Sequence, residues 1–245
     1  IKTVILPRLQ HAEGHLNFIE QGTAFTFLLP PAATGLEDTL EIDMADVYML
    51  DTVINGVQGW LGMLVAYNFD VPNSDFENVD AESLLTAGTD WATLHTDGAV
   101  QLAAALMNLE LVNTKFNLAV TYLQAETDDQ IDDVLPQEWL ETTEYTEITD
   151  GLLQLTTSLS GPVTTDVEDY LGNPFTLQID IGRFFSPAID DLKTMLPALT
   201  FTGGEPDITV PITFDDPQIN GIFPDMTNDR WRELTGMVNP TVARR

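Results

Sequence analysis

Met44-Ala-Asp-Val-Tyr-Met-Leu-Asp-Thr-Val-Ile-Asn-Gly-Val-Gln-Gly-Trp-Leu-Gly-Met-Leu-Val-Ala-Tyr-Asn68 decides the fold class. Within it Val47, Leu50, Ile54, Val57, Leu61, Leu64 and Val65 recur at three- and four-residue steps. That rhythm predicts a long α-helix with those residues along its buried face. Asp43 stands just before it as an N-cap, its carboxylate able to accept from a backbone N–H that the first helical turn leaves unpaired. Asp70-Val71-Pro72 closes the segment, because proline cannot continue the helical hydrogen-bond ladder. Gly56, Gly59 and Gly62 lie inside this helix, where each costs about 1 kcal/mol against alanine. Their presence predicts close approach of a neighbouring helix rather than a nucleotide fingerprint, whose glycines precede the helix.

Working outward, a second long helix is expected from about Asp97 to Glu126, apolar around most of its circumference and therefore central. A third runs from about Gln137 to Leu159, where Tyr145, Ile148, Leu152, Leu155 and Leu159 share one face and Gly161-Pro162 ends it. Shorter helices are expected at Val4 to Glu20 and Ile189 to Leu196. Thr23 to Leu29, Thr39 to Asp43, Phe175 to Ile181 and Ile208 to Phe214 read as strands, with Pro211 confining the last to an edge. Thr39-Leu-Glu-Ile-Asp-Met-Ala-Asp-Val-Tyr48 aligns without gaps onto Thr176-Leu-Gln-Ile-Asp-Ile-Gly-Arg-Phe-Phe185. Convergence on one strand-to-helix solution accounts for the echo, and two related strands of one sheet are the alternative. The expected fold is α+β, mainly α: antiparallel long helices with a small accessory β-sheet. No linker divides residues 1–245, so one domain is expected, with an N-terminal segment (1–35), a helical body (36–160) and a less regular strand-containing part (161–245).

The charge is extreme and uneven. The 245 residues hold 39 Asp and Glu against nine Lys and Arg, a formal charge of −30. Between Leu9 and Gly182 there are 30 acidic residues and one basic residue, Lys115, so nearly all the charge lies there. The chain is an acidic body with near-neutral ends. Unaided nucleic-acid binding is excluded, since it rests on Lys and Arg neutralising phosphates. Docking on an anionic membrane is disfavoured for the same reason. A solvated surface, adaptation to high salt, cation binding, or basic ends of one copy on the acidic body of the next would each account for the pattern. A contact of the last kind strengthens at low salt, whereas a solvated surface is indifferent to it. With no cysteine there is no disulfide, thiol nucleophile or iron–sulfur cluster. No stretch is apolar and long enough to span a bilayer. A start at Ile1 fits a processed signal peptide or a trimmed chain, and three Lys beside 30 Thr and five Ser fit a halophile or an exported protein.

Few constellations suggest chemistry. His11 and His15 stand at i and i+4, a spacing that puts two imidazoles on one helical face and can hold a metal, with His95 or a carboxylate as third ligand. Glu13 is at the wrong offset for His-Glu-x-x-His. Asp128, Asp129, Asp132 and Asp133 form one dense acidic run, and Asp75 and Asp80 belong to another around Pro72. Their oxygens would suit Ca²⁺, though neither run matches an EF-hand loop, and helix-capping carboxylates in a hydrated loop are the plain alternative. No nucleophile elbow or phosphate-binding loop occurs. With so many acids, carboxylate pairs of the glycosidase kind carry almost no information.

Phe214-Asp-Asp-Pro-Gln-Ile-Asn-Gly-Ile-Phe-Pro-Asp-Met-Thr-Asn-Asp-Arg-Trp-Arg-Glu-Leu234, together with Leu40-Glu-Ile-Asp-Met-Ala-Asp-Val-Tyr48, resembles segments of uncharacterised exported bacterial helical proteins of the signal-peptide or lipoprotein type. The resemblance covers about a quarter of the chain and implies export, with no named activity and no functional residue. Read physically, Asp216-Pro217 and Asn220-Gly221 are turns, Ile222, Phe223 and Trp231 pin the segment to the body, and Thr227 caps a short helix through Leu234.

The expectation is a non-catalytic exported protein that self-assembles, or joins an envelope assembly, through heterologous contacts. Ile1, Val4 and Ile5, with Arg244 and Arg245, are the candidate assembly residues. The alternative is a soluble acidic binding protein for Ca²⁺ or a small ligand, and an acid-surfaced enzyme is the third reading. No cofactor other than Ca²⁺ is implied, and the partner is another copy or another envelope protein.

Overall fold

Asp43 and Asp46 open the first of the two long helices with reciprocal bonds. The Asp46 N–H donates to Asp43 Oδ1 at 3.1 Å, and the Asp43 N–H donates to Asp46 Oδ2 at 3.2 Å. Two otherwise unpaired donors are thereby satisfied, as in a capping box. The computed structural model describes every residue except 23, 36, 71–80, 86–88, 128–132, 199–200, 203–204, 207–212 and 237–245. Its elements in chain order are α1 (Ile5–Ile19), β1 (Thr26–Leu29), α2 (Pro31–Thr34), β2 (Leu40–Asp43), α3 (Met44–Ala66), α4 (Ala81–Leu85), α5 (Gly98–Ala125), α6 (Thr143–Ser160), β3 (Val163–Glu168), β4 (Pro174–Ile179), α7 (Gly182–Phe185), β5 (Phe201–Thr202), β6 (Glu205–Pro206) and α8 (Asn228–Thr235). Single 3₁₀ turns lie at Gln137–Glu141 and Leu192–Met195. The chain is α+β and mainly α, as expected.

Two compact units are distinguished: residues 1–63 with 104–156, and residues 64–103 with 157–245. In the first, Gly56 and Gly59 of α3 face Val112 and Leu109 of α5, so the residue numbers fall along one helix as they rise along the other. The two helices are antiparallel. A Cβ on Gly59 would stand 2.6 Å from Leu109 Cγ and 3.2 Å from the Ala105 carbonyl oxygen. The close approach predicted for the helical glycines is therefore real at Gly59. Leu16 of α1 packs with Val47 and Ile54, while Met44 and Tyr48 pack against Ala119. The β1–β2 hairpin pairs Thr26 with Asp43 and Leu29 with Leu40.

In the second unit, β3 and β4 form a hairpin pairing Val163 with Ile179 and Glu168 with Pro174. Phe175, Leu177 and Met226 form one buried cluster, with Trp231 of α8 against it. Trp231 Nε1 donates to the Pro217 carbonyl at 2.7 Å, and the Thr227 hydroxyl accepts from the Arg230 N–H at 3.2 Å. The pinning and the cap read from the C-terminal run are both present. Asn220 and Gly221 sit at φ 57° and 82°, the left-handed region suited to Asn-Gly.

Several expectations change. The third helix begins at Thr143, not Gln137, because the Thr142 hydroxyl accepts from the Tyr145 N–H and caps it there. Gln137 is used elsewhere: its Nε2 donates to the carbonyls of Leu123 and Glu126 at the end of α5. α3 ends at Ala66, before any influence of Pro72, and Ala66 O accepts instead from the His95 N–H. Ile189 to Leu196 holds only a 3₁₀ turn. The single accessory sheet is replaced by separate two-stranded sheets, β1–β2, β3–β4 and β5–β6. The strands of the internal echo, β2 and β4, belong to different sheets, so the echo is a repeated strand-to-helix solution and not a pair within one sheet. Most of the strand expected at Ile208 to Phe214 lies outside the described residues.

Candidate functional site

Val47, Ile54 and Val65 of α3 are buried as expected, but its buried face is shifted toward Asp51 and Asn55. Leu50 and Val57, expected in the core, are exposed, and they line up with Val53 (55% exposed) and Trp60 (59%). These four fall at i, i+3, i+7 and i+10, on one helical face. The opposite side of the same helix buries polar groups: Asp51 and Asn55 are fully enclosed, and Thr52 and Gln58 are buried.

Lys115 explains the burial of these polar groups. It projects from α5, and its Nζ lies 2.7 Å from Asp51 Oδ2 and in contact with Glu20. Its side chain is only 12% exposed and sits 5.6 Å from the centre of the Tyr48 ring. Burying an unpaired ammonium would cost several kcal/mol, so α3 must turn Asp51 toward it. Asn55 then follows Asp51, donating to its backbone oxygen at 2.9 Å and to Oδ1 at 3.1 Å. Gln58 donates to Glu13 of α1 at 2.8 Å. Burial raises the Glu20 carboxyl above its ordinary value in spite of Lys115. For Lys115, burial works against the charge, but the bonds from Asp51 and Glu20 outweigh it and raise the ammonium above its ordinary value. A lysine held protonated in this way is a structural cation, unlike a nucleophilic lysine, which needs a lowered pKa.

The outer face of α3 continues into an apolar groove of about 460 Å³ in the same unit. Leu16, Ile19, Phe27, Leu50, Val53 and Val134 are among its walls. Asp46 is the one ionisable group among its lining residues. Burial pushes its carboxyl up to about 6, opposed by the Asp43 N–H and reinforced by the nearby charges of Asp43, Asp133 and Glu41. The groove is therefore apolar with one carboxyl in its wall and further acidic charge close to that carboxyl.

The candidate site residues fall as follows. Asp75, Asp80, Asp128, Asp129, Asp132, Arg244 and Arg245 lie outside the described residues. Asp133 forms a bridge with Glu41 beside the groove. Ile1, Val4 and Ile5 are exposed around the start of α1. His11 and His15 are brought together on α1, with Nε2 atoms 3.2 Å apart. His95, offered as a third ligand, belongs to the other unit. Among the described residues no group of three or more His, Asp or Glu is arranged to hold a metal. No described helix is long and apolar enough to cross a membrane. The groove and the α3 stripe were missed from the sequence, and the available signal was Lys115 standing as the lone cation of the acidic body.

No family model, curated protein or solved structure matches this chain.

Proposed function

We propose that this protein works by association rather than catalysis, and that the partner of its apolar face is a second copy of the chain. The observation that carries this reading is the outward stripe of Leu50, Val53, Val57 and Trp60, on a helix that buries Asp51, Asn55 and Gln58 instead. Contiguous exposed apolar surface of this kind marks interaction sites.

Charge complementarity favours a second copy. Asp46 lines the groove, and the charges of Asp43, Asp133 and Glu41 act on it. An apolar segment with flanking cations fits the groove, and such a segment is exposed around the start of α1: Ile1, Val4 and Ile5, with Lys2 and Arg8 beside them. A copy cannot fill its own groove this way. Ile19, at the far end of α1, lines the groove, and Ile5 stands about 21 Å away along the helix axis. The contact is therefore head-to-tail between copies, a heterologous geometry that generates rings or filaments.

Val53→Asp and Trp60→Asp test it. Both side chains are exposed, so neither substitution places a charge in the core. Light scattering is expected to show a larger species for the parent chain and a reduced mass for each variant. An unchanged parent and variant mass removes the α3 stripe from the contact.

A small-ligand reading rests on the groove itself. Its volume falls within the range of about 300–1,000 Å³ common to small-molecule sites. With Asp46 as its ionisable group, it would take an apolar molecule bearing an amine. A long-chain amine that binds the parent and binds Asp46→Asn more weakly supports this version, and equal binding opposes it.

A further inference from the structure

We infer that His11 and His15 form a chelating site for a divalent first-row transition cation on the exposed face of α1. The two residues lie one helical turn apart, which brings their imidazoles onto one face. The rings meet edge-to-face with centroids 4.5 Å apart, and the two Nε2 atoms converge to 3.2 Å. That separation is the decisive quantity. Two imidazole nitrogens each about 2.05 Å from one metal ion stand about 2.9 Å apart at a right angle and about 3.4 Å apart at the tetrahedral angle. The observed distance lies between these limits; here it is a hydrogen bond between the two Nε2 atoms, and the ion would take the place of the shared proton.

The surroundings leave room for the ion. A Cβ placed on Gly14 would meet nothing within 4 Å, so that flank of α1 is open. Glu13 is engaged by the Gln58 side chain. With no third described ligand gathered there, water completes the coordination sphere. Two nitrogen donors suit Zn²⁺, Ni²⁺ or Cu²⁺ and not Ca²⁺, which takes oxygen ligands. Binding uses both Nε2 lone pairs, so each ring carries its remaining proton on Nδ1. Neither histidine lines the groove.

Calorimetric titration of chelator-treated protein with Ni²⁺ tests the assignment. One ion per chain is expected, and His11→Ala and His15→Ala should each weaken it by about tenfold or more, since each removes a direct ligand. The surface is strongly acidic, so the double variant supplies the background from carboxylates. Electron paramagnetic resonance with one equivalent of Cu²⁺ gives a second readout, with nitrogen hyperfine structure expected in the parent and lost in the double variant. Absence of a Ni²⁺ site in the parent, or binding unchanged in both single variants, overturns the proposal. A Cu²⁺ spectrum without nitrogen ligands does the same.

Discussion

Lys115 Nζ stands 2.7 Å from Asp51 Oδ2, and this pair sets which side of α3 faces inward. Asp51 is fully enclosed and Lys115 nearly so, with Glu20 as the second carboxylate. Such a cluster stabilises little in itself, because desolvation offsets attraction, but loss of one partner strands a buried charge. Lys115→Met is therefore expected to destabilise the protein by about 3–5 kcal/mol. Replacing Lys115, Asp51 and Glu20 together by Leu or Met should recover most of that loss. Chemical denaturation of both variants measures it, and a mild effect of Lys115→Met alone would contradict the role given to the pair.

The helical glycines give opposite predictions at two positions. Gly59→Ala puts a methyl group against Leu109 and the Ala105 carbonyl, so it should destabilise by about 1–3 kcal/mol despite the better helix propensity of alanine. Gly14→Ala meets open space on α1 and should stabilise by about 0.5–1 kcal/mol. Thermal melts of the two variants should move in opposite directions.

Asp46 makes stability depend on pH in a defined sense. Its carboxyl titrates near 6 in the fold and near 3.8 when unfolded. Between those values the folded protein holds the proton more tightly, so this group's contribution favours folding at low pH and is lost as pH rises through about 6. Asp46→Asn keeps an oxygen to accept from the Asp43 N–H while removing the charge. The variant should melt higher than the parent at pH 7, and the difference should vanish near pH 3.5. A constant difference across that range would show that titration of Asp46 is not responsible.

The local features were legible and the long-range ones were not. Periodicity located α3 and α5, and Asp43 and Thr227 cap the helices that the sequence assigned them, because a cap acts within one turn. On α3, Val47, Ile54 and Val65 are buried as read, while Leu50 and Val57 at the edge of that face are exposed. The shift toward Asp51 follows from Lys115, distant in sequence and adjacent in space. α5 was read as apolar around most of its circumference and central; Leu102, Phe116 and Leu123 are buried, while Val100 and Met107 are exposed. Composition alone does not say which side of an apolar helix finds a neighbour. β3 was overlooked although Val163, Thr165 and Val167 alternate with more exposed residues and Gly172 supplies a turn at φ 79°. At the candidate site, Ile1, Val4, Ile5 and the histidine pair were legible. The groove was not, since it gathers α1, β1 and α3 with Val134 and Leu135.

The head-to-tail contact predicts a charge effect. Arg8 is exposed near the apolar start of α1, and Asp46 of the groove has Glu41, Asp43 and Asp133 as nearby charges. Arg8→Glu should weaken association more in about 10 mM salt than in about 1 M salt, where the screening length falls from about 30 Å to about 3 Å. Sedimentation of the variant at both salt concentrations reads this directly. An equal loss at both would place Arg8 outside any charge contact.

The proposed function requires identical copies to associate through the outer face of α3, and sedimentation velocity of the parent chain over a wide concentration range reads this. A mass that rises with concentration above the 27.0 kDa of one chain, and that returns to one chain in Val53→Asp, is expected. A single 27.0 kDa species at every concentration and salt would contradict it.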